Sequence, residues 1–265
     1  MLRCAWLASL LLGGAGAVVA QDSVALNASF GYVNADGSEI IALEAVATPA
    51  EIRAAICSGA RVSPVSFARE QDQQEGDDGR AVATNFARAS GDVFRFLGGN
   101  GRANETCYLT ADSGLAAAAT PVTVRAGRGC DALRLREAAL AKGRAVVHCW
   151  PLGGTSGGAD VLAIQFAVVD TSALASVVVA ERDQLLYYDQ PATYRGPGGD
   201  IWRADDGGTL APDAFGILFY CRLGTRRVMA LTWVGAEGED SYLLVADSTR
   251  TFRTAAQSYR HWAPE

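Results

Sequence analysis

Short apolar runs of strand length recur along most of this chain, separated by clusters of Gly, Asp, Asn and Ser. The runs are rich in Val, Ile, Leu, Phe and Tyr, and their length and punctuation are typical of antiparallel β-sheet. When the chain is aligned with itself, it divides into three units of about 65 to 70 residues, each with about three such runs. The pattern predicts a mainly β protein made of tandem small β-barrel or β-sheet modules.

Segments matched between the units keep their order and spacing, as expected for an internal repeat. The first and second units share GRAVATNF at 79–86 with GRAVVHCW at 143–150, and DVFRFL at 92–97 with DVLAIQF at 160–166. The second and third units share TPVTVRAGRGCD with QPATYRGPGGDI, VVHC with LFYC, VLAIQF with VMALTW, and SVVVAERD with SYLLVADS. His148 and Cys149 thereby align with Thr84 and Asn85, which predicts that this position lies in a strand.

These matches also set the predicted domain boundaries. We expect a signal peptide at 1–20, a first β-rich module with an amino-terminal extension at 21–119, a second β module at 120–189, and a third with a carboxy-terminal tail at 190–265. Each module is too small to bury a large core by itself. The modules are therefore expected to pack side by side.

Two segments favour helix and leave a second architecture open. CDALRLREAALAKG at 130–143 predicts a short amphipathic helix with Leu133 and Leu140 on one face and a glycine stop. TPAEIRAAIC at 48–57 begins with a Thr-Pro helix start. If both segments are helical, the modules are α+β, with a short helix on each small sheet.

Two polar segments predict loops. NADGS at 34–38 is typical of a hairpin turn in which Asp36 and Gly37 supply the positive φ angles. REQDQQEGDDG at 69–79 contains no large apolar residue and does not match the ligand spacing of a calcium-binding EF-hand loop. We interpret it as a solvated loop.

The amino terminus has the three-part layout of a secretory signal peptide. Arg3 precedes an apolar run from Ala5 to about Leu12, and small residues lead to Ala20, after which we expect cleavage. The apolar core is too short to span a bilayer comfortably, and no later segment reaches a membrane-spanning length without charges. Abundant Ala, Gly and Arg with two Met is typical of a GC-rich bacterial genome. The sequence therefore predicts a periplasmic or secreted protein without a transmembrane segment.

The charge balance argues against nucleic acid as a partner. Removal of Arg3 with the signal peptide leaves 22 Lys and Arg against 29 Asp and Glu, a net charge of −7. An acidic chain is not attracted to phosphate backbones or to anionic membrane surfaces.

The cysteines predict disulfides, because an exported chain folds in an oxidising compartment. Five cysteines remain after cleavage: Cys57, Cys107, Cys130, Cys149 and Cys221. We favour a bridge between Cys57 and Cys107, and a second bridge between two of the other three, which leaves one thiol unassigned. None of the five forms a CxxC pair, and His148 and His261 are the only histidines. No metal and no other cofactor are therefore expected.

HCWPLGGTSGG at 148–158 is the segment that most resembles catalytic chemistry. It is similar to two signatures of trypsin-like proteases. In that family, however, the histidine and the serine lie far apart in sequence. In this chain, moreover, Thr155 occupies the position where the protease motif has aspartate. A triad also needs its base within hydrogen-bond reach of the nucleophile. We expect no catalytic residues. The alternative is a small secreted cell-wall or protein hydrolase that uses Ser156 or Cys149 with His148.

Aromatic residues cluster around the junction of the second and third modules, beside the glycine-rich segment YRGPGGD. A groove between modules is a place where such side chains stack on a sugar or grip a peptide, whereas their other ordinary role is core packing. The candidate ligand-binding residues are Tyr187, Tyr188, Tyr194, Arg195 and Trp202.

The second module resembles the bacterial Src-homology-three-like domain of cell-wall proteins. The resemblance rests on TVRAGRG, then Leu140, Gly143 and AVVHCW, and in the third module on YRGPGGD, TLAPDAFG and ILFYC. It covers about residues 120–250 and implies a location in the cell envelope.

Taken together, the sequence predicts an exported, non-catalytic binding protein of the bacterial cell envelope. The expected ligand is peptidoglycan, a peptide or an envelope protein. A second alternative, after the hydrolase, is an inhibitor of a secreted hydrolase that inserts REQDQQEGDDG into an enzyme cleft. The oligomeric state is left open.

Overall fold

The structure is a computed structural model that describes residues 27–123, 130–203, 206–246 and 249–262. The predicted signal peptide, residues 1–20, lies outside the described residues, as does most of the TVRAGRG segment. The described chain is mainly β and forms a six-stranded closed barrel followed by two four-stranded antiparallel sheets. The prediction of a mainly β protein of tandem small β modules is confirmed.

The barrel contains the first six strands of the chain. Their bounds are β1 Ala28–Val33, β2 Glu39–Ala42, β3 Ala54–Cys57, β4 Arg61–Gln71, β5 Gly91–Phe96 and β6 Thr106–Thr110. The strands follow the order β1-β2-β5-β4-β3-β6, and the barrel closes because β1 pairs with both β2 and β6. Of the charged segment 69–79, residues 69–71 belong to β4, so only the remainder is a loop.

The NADGS segment forms the turn between β1 and β2, as predicted. Gly37 has a φ of 78°, but Asp36 does not adopt the positive φ expected of it. The Asp36 carboxylate instead accepts hydrogen bonds from the backbone N–H (2.9 Å) and the hydroxyl (2.6 Å) of Ser38. A turn stabilised in this way needs only one residue in the left-handed region.

The rest of the strands form two meanders, in which sequential strands are neighbours. The second sheet contains β7 Val146–Gly154, β8 Asp160–Phe166, β9 Ser172–Ala180 and β10 Leu185–Thr193. The third sheet contains β11 Phe215–Leu223, β12 Arg226–Val234, β13 Gly238–Ala246 and β14 Arg253–His261. β10 extends across residue 190, where the sequence predicted the start of the third module.

The repeat corresponds to structure in the two meanders. VVHC and LFYC lie in the first strand of their sheets, and VLAIQF and VMALTW lie in the second. SVVVAERD and SYLLVADS both begin in the third strand. The match to the barrel is wrong at GRAVATNF, because Thr84 and Asn85 lie in turns that precede β5. The Asn85 amide donates to the Asp77 carboxylate (2.6 Å) and the Arg80 carbonyl (2.9 Å), and such local bonds favour a turn over a strand.

Two α-helices are present in the described residues, α1 Ser113–Ala118 and α2 Ala132–Lys142. The alternative of a helix within 130–143, which the sequence left open, is what the structure contains: the Asp131 carboxylate accepts the first backbone N–H groups, and Gly143 ends the helix at a φ of 62°. The face that carries Leu133 and Leu140 does not pack on the sheet, because these side chains are 77% and 75% exposed.

α2 packs on the second sheet through the small, fully buried Ala138. On either side of it, Arg134 forms an ion pair with Asp160 (2.6 Å), and Lys142 forms one with Asp189 (2.6 Å). These two pairs fix which side of α2 faces the sheet, and they turn the leucines outward.

The alternative of a helix at 48–57, which the sequence left open, is not what the structure contains. Only Pro49–Glu51 form a single 3-10 turn, and residues 54–57 are β3. All four residues of β3 are buried, and the strand pairs with β4 on one side and β6 on the other. Pairing and burial in the barrel override the local helix signal. Two further 3-10 turns occur, at Ser58–Ala60 and at Pro212–Ala214.

The third sheet is the centre of the molecule, because its inner strands β12 and β13 are buried on both faces. Met229 and Leu231 of β12 belong to one apolar cluster with the second sheet, whereas Val228 and Ala230 belong to another with the barrel. A strand covered on both faces needs apolar residues at every position. This explains why VMAL is a continuous apolar run.

A buried polar network also joins the barrel to the third sheet. Arg260 of β14 donates to the carbonyls of Ala81 (2.6 Å) and Asn104 (2.5 Å), and contacts the hydroxyl of Thr106 (3.3 Å). The Thr106 hydroxyl in turn donates to the carboxylate of Glu239 (2.6 Å). Thus each buried charge is linked to a polar partner across the junction.

The disulfide prediction is confirmed. Cys57 and Cys107 bridge β3 and β6, and Cys130 and Cys149 tie the start of α2 to β7. Cys221 is a buried free thiol. No helix in the described parts of the chain is long and apolar enough to cross a membrane.

Candidate ligand-binding groove

A loop between β10 and β11 carries Trp202 and is organised by one carboxylate. Asp206 accepts hydrogen bonds from the backbone N–H groups of Ile201 (2.8 Å), Trp202 (2.6 Å), Arg203 (2.9 Å) and Gly208 (2.8 Å). Burial opposes ionisation of Asp206, but these bonds together outweigh it and hold the pKa of the carboxyl below its usual value. Asp206 thus remains ionised and fixes the loop.

Arg203 is held between this loop and the end of β12. Its Nη2 atom donates to the Trp233 carbonyl (2.7 Å) and the Asp240 carboxylate (2.7 Å), and its guanidinium carbon lies 4.4 Å from the centre of the Trp233 ring. Gly235 permits this arrangement, because a Cβ there would lie only 2.6 Å from the Arg203 Nη1 atom. The guanidinium therefore has a fixed position over the indole.

Trp202 has its own anchor. Its indole Nε1–H donates to the backbone carbonyl of Gln190 (3.0 Å), at the end of β10, and the ring is half-buried. Trp233 is buried and packs against Phe215, with 5.0 Å between ring centres. Two fixed indoles thus line the same hollow.

Two adjoining hollows meet at Trp202 and Arg203, and together we call them the Trp202 groove. The inner hollow has a volume of about 300 Å³, and apolar and polar residues line it: Trp202, Arg203, Asp206, Thr209, Leu210, Ala211, Ala214, Trp233, Val234, Gly235 and Ala236. The outer hollow has a volume of about 370 Å³ and is more polar: Thr193, Arg195, Asp200, Ile201, Trp202 and Arg203. Aromatic surface beside a few oriented polar groups is typical of a ligand site.

The structure brings only two of the five predicted ligand-binding residues together. Arg195 and Trp202 line the outer hollow. Tyr187 is buried on the opposite side of the second sheet, under α2, where the Lys142 ammonium lies 4.1 Å from its ring centre.

The other two predicted tyrosines lie outside the groove lining. Tyr188 faces the third sheet, 5.6 Å from Tyr242 between ring centres. Tyr194 follows β10, and its backbone N–H donates to the Thr171 carbonyl (2.7 Å). Adjacent residues in a strand point to opposite faces, which explains why Tyr187 and Tyr188 separate.

The groove contains two residues that the sequence interpretation did not single out, Arg203 and Trp233. Trp233 ends the apolar run VMALTW, which predicts a core strand and gives no sign that the last ring borders a cavity. Arg203 directly follows Trp202, and a loop arginine is ordinarily solvated. The only available signal was its position inside the glycine-rich and aspartate-rich segment 195–208.

The residues of the HCWPLGGTSGG segment do not come together in the geometry that the hydrolase alternative requires. Cys149 is bonded to Cys130, so it has no free thiol. His148 is exposed on β7 and stacks on Trp150, with 5.2 Å between ring centres. Ser156 lies in the turn after β7, and six strand residues from His148 to the end of β7 already span about 20 Å. Asp160, the available acid, is paired with Arg134.

The described residues offer few groups that could bind a metal ion. The cluster of potential ligands found there consists of Cys57, Glu105 and Cys107. Both sulfur atoms are committed to the disulfide, and the Glu105 carboxylate forms an ion pair with Arg61. A cysteine binds a metal ion as a thiolate, which a disulfide does not offer.

The chain matches no protein-family model, and no curated protein and no solved structure matches it. The site must therefore be interpreted from its own chemistry.

Proposed function

We propose that this protein is an exported, non-catalytic binding protein of the bacterial cell envelope, and that it binds peptidoglycan through its glycan in the Trp202 groove. The observation that carries the proposal is the convergence of Trp202 and Trp233, each fixed by its own contacts, on one hollow beside the immobilised Arg203.

Aromatic faces and fixed polar groups are what a sugar ring requires. The apolar face of a sugar packs on an indole, while its hydroxyl groups take hydrogen bonds from charged and polar side chains at the rim. The outer hollow offers such groups in Thr193, Arg195 and Asp200. Because the loop is already fixed by Asp206, ordering it on binding costs little entropy.

The cellular location rests on separate support. Two disulfides fit an oxidising compartment outside the cytoplasm. The predicted signal peptide and the resemblance to the Src-homology-three-like domain both point to the envelope. Peptidoglycan is the abundant glycan of that compartment, so we place it before a peptide or an envelope protein as the ligand.

A binding role is preferred over hydrolysis because of the geometry at His148. The two candidate nucleophiles for His148 are Cys149, whose sulfur is in a disulfide, and Ser156, which follows the far end of β7. Nucleophilic catalysis needs the nucleophile and the base within about 3 Å of each other.

The test is cosedimentation of the mature protein with purified peptidoglycan sacculi. We expect Trp202→Ala to weaken binding roughly five- to thirtyfold, since loss of one aromatic stacking surface costs about 1 to 2 kcal/mol. The matched control is Tyr259→Ala, which removes an aromatic ring that is 48% exposed on β14 and lies outside the groove lining. Circular dichroism and thermal melts of both variants check the fold.

Three outcomes would contradict the proposal. If the protein does not sediment with sacculi, or if Trp202→Ala and Tyr259→Ala reduce binding equally, the groove is not a peptidoglycan site. If the protein hydrolyses peptidoglycan or protein substrates and His148→Ala abolishes that activity while the fold is intact, the hydrolase alternative replaces ours.

A further inference from the structure

A second cleft, of about 770 Å³, lies where two hairpin turns of the second sheet meet the third sheet and the segment after α1. We call it the hairpin cleft. It is lined by Ala118, Thr120, Thr155, Ser156, Gly157, Gly158, Ala159, Glu181, Arg182, Asp183, Tyr220, Cys221 and Arg222. It adjoins the start of β10, whereas the Trp202 groove adjoins its end, so the nine residues of β10 place the two sites roughly 25 Å apart.

One wall of the cleft is the turn that contains the GTSGG motif. The turn is closed by hydrogen bonds from Gly158 N–H to the Thr155 carbonyl (3.1 Å) and from Thr155 N–H to the Ala159 carbonyl (2.8 Å). Ser156 and Gly157, at its tip, are exposed, and their backbone N–H groups and the Ser156 hydroxyl have no partner among the described residues. Adjacent exposed backbone N–H groups without a protein partner favour an anion.

The acidic side chain on the opposite wall is already satisfied. Glu181 accepts hydrogen bonds from the Tyr220 hydroxyl (2.6 Å), from Gln184 (3.1 Å) and from the guanidinium of Arg227 (3.0 Å). Burial opposes its ionisation, but these partners outweigh burial and lower the pKa of the carboxyl. The Glu181 charge is therefore neutralised by Arg227 and does not repel an anion in the cleft.

Two cationic side chains that line the cleft have no strong partner of their own. Arg182 is exposed and makes no hydrogen bond or ion pair with any described residue. Arg222 is 61% exposed, and its ion pair with the shared Glu181 is long, at 3.6 Å. Asp183 is the remaining charge; it is exposed, it is unpaired in the described chain, and it offsets one of the two arginines. The balance of free charge in the cleft is positive.

We propose that the hairpin cleft binds an oxyanion, the carboxylate or phosphate group of a small ligand or of a chain end. The Ser156 hydroxyl and the N–H groups of Ser156 and Gly157 would contact it from one side, and Arg182 and Arg222 from the other. Guanidinium and backbone N–H donors together are the usual recognition groups for such anions. This proposal does not depend on the glycan groove.

The experiment is a titration of the mature protein followed by NMR, with the backbone amide signals of Ser156, Gly157 and Gly158 as the readout. The probes are N-acetyl-alanine for a carboxylate, glycerol phosphate for a phosphate, and N-acetyl-alanine amide as the neutral control. We expect saturable shifts at these amides with one or both anions, no shift with the amide, and weaker binding at higher salt.

Charge variants of the cleft make the test specific. Arg182→Gln and Arg222→Gln should each weaken anion binding roughly fivefold, and Asp183→Asn should strengthen it about threefold. Arg226→Gln is the matched control, because it removes an exposed arginine from the same hairpin as Arg222 but outside the cleft lining. It should leave binding unchanged within experimental error.

Each outcome of the titration either supports the oxyanion site or overturns it. Saturation by the carboxylate, the phosphate or both supports the site and identifies the source of the anion. The proposal is overturned if neither anion shifts the three amides, if the neutral amide binds as well as the acid, or if Arg226→Gln weakens binding as much as Arg182→Gln. Trp202→Ala serves as an independent variant, since loss of the glycan groove leaves this site intact.

Discussion

The guanidinium of Arg203 lies 4.4 Å from the ring centre of Trp233, and the same arginine donates hydrogen bonds to the Trp233 carbonyl and to Asp240. One side chain thus joins the loop after β10 to the end of β12 and to β13. The Trp202 groove exists because these three segments are held together. Its shape should respond to changes at residues that never touch a ligand.

Gly235→Ala tests this dependence. The new Cβ would lie 2.6 Å from the Arg203 Nη1 atom, so the guanidinium must move from its place over Trp233. We expect peptidoglycan binding to fall several-fold and the free energy of unfolding to fall by about 1 kcal/mol, as for overpacking elsewhere. Cosedimentation and urea unfolding measure the two effects.

The control for this prediction is Gly98→Ala. A Cβ on Gly98 finds its nearest neighbour, a Pro64 side-chain atom, at 3.9 Å, which is ordinary contact. Equal loss of binding in both alanine variants would show that the arginine does not shape the groove.

The two disulfides should differ in their resistance to reduction. Cys57 and Cys107 are both 0% exposed inside the barrel, whereas Cys130 and Cys149 are only partly buried at the molecular surface. A reductant reaches the second pair in the folded protein, but it reaches the first only after the barrel opens. Mild dithiothreitol followed by alkylation and peptide mapping should label Cys130 and Cys149 first. Labelling of Cys57 and Cys107 at the same rate would contradict this.

The strands of the two meanders could be predicted because each apolar run is a local signal. VLAIQF and VMALTW became β8 and β12. The helix α2 could be predicted in the same way, from the amphipathic pattern of residues 130–143 and the Gly143 stop. The buried side of α2 could not be predicted from the sequence, because Arg134 and Lys142 form ion pairs with acidic residues on strands that are distant in sequence.

The groove was only half predictable for a similar reason. Trp202 and Arg195 lie in one conspicuous segment, but Trp233 joins them through sheet packing that no local pattern encodes. Tyr187 and Tyr188 were grouped by proximity in sequence, although the alternation of a strand sends them to opposite faces. Strand alternation would have separated them had residues 185–193 been assigned to one strand at the outset.

Glu239 should make the stability of the protein depend on pH. Burial raises the pKa of this carboxyl above its ordinary value of 4.5, and the hydrogen bond from Thr106 and the charge of Arg260 only partly offset burial. The folded state thus holds the proton more tightly than the unfolded state. The Glu239 contribution to the free energy of unfolding therefore falls as pH rises from 4.5 to the raised folded value.

Glu239→Gln removes that titration. The stability of the variant relative to the wild type should increase across this pH window and become constant above it, as measured by urea unfolding at a series of pH values. Glu237→Gln, at an exposed position two residues away, is the control and should show no such trend. If the stability of Glu239→Gln relative to the wild type falls with rising pH, the sign of our assignment is reversed.

Cys221 should be a slow thiol in the folded protein. Burial is the main cause that raises its pKa to about 11, and the side chain is only 2% exposed. At pH 8 the thiolate fraction is then about 100-fold lower than for an ordinary cysteine, and only the thiolate attacks a disulfide reagent.

The mature protein should release about one equivalent of thionitrobenzoate from Ellman's reagent, slowly when folded and rapidly in guanidinium. The folded rate should rise about tenfold per pH unit up to pH 10. The Cys221→Ser variant should release none, and a plateau of the wild-type rate near pH 9 would mean that the thiol is not perturbed.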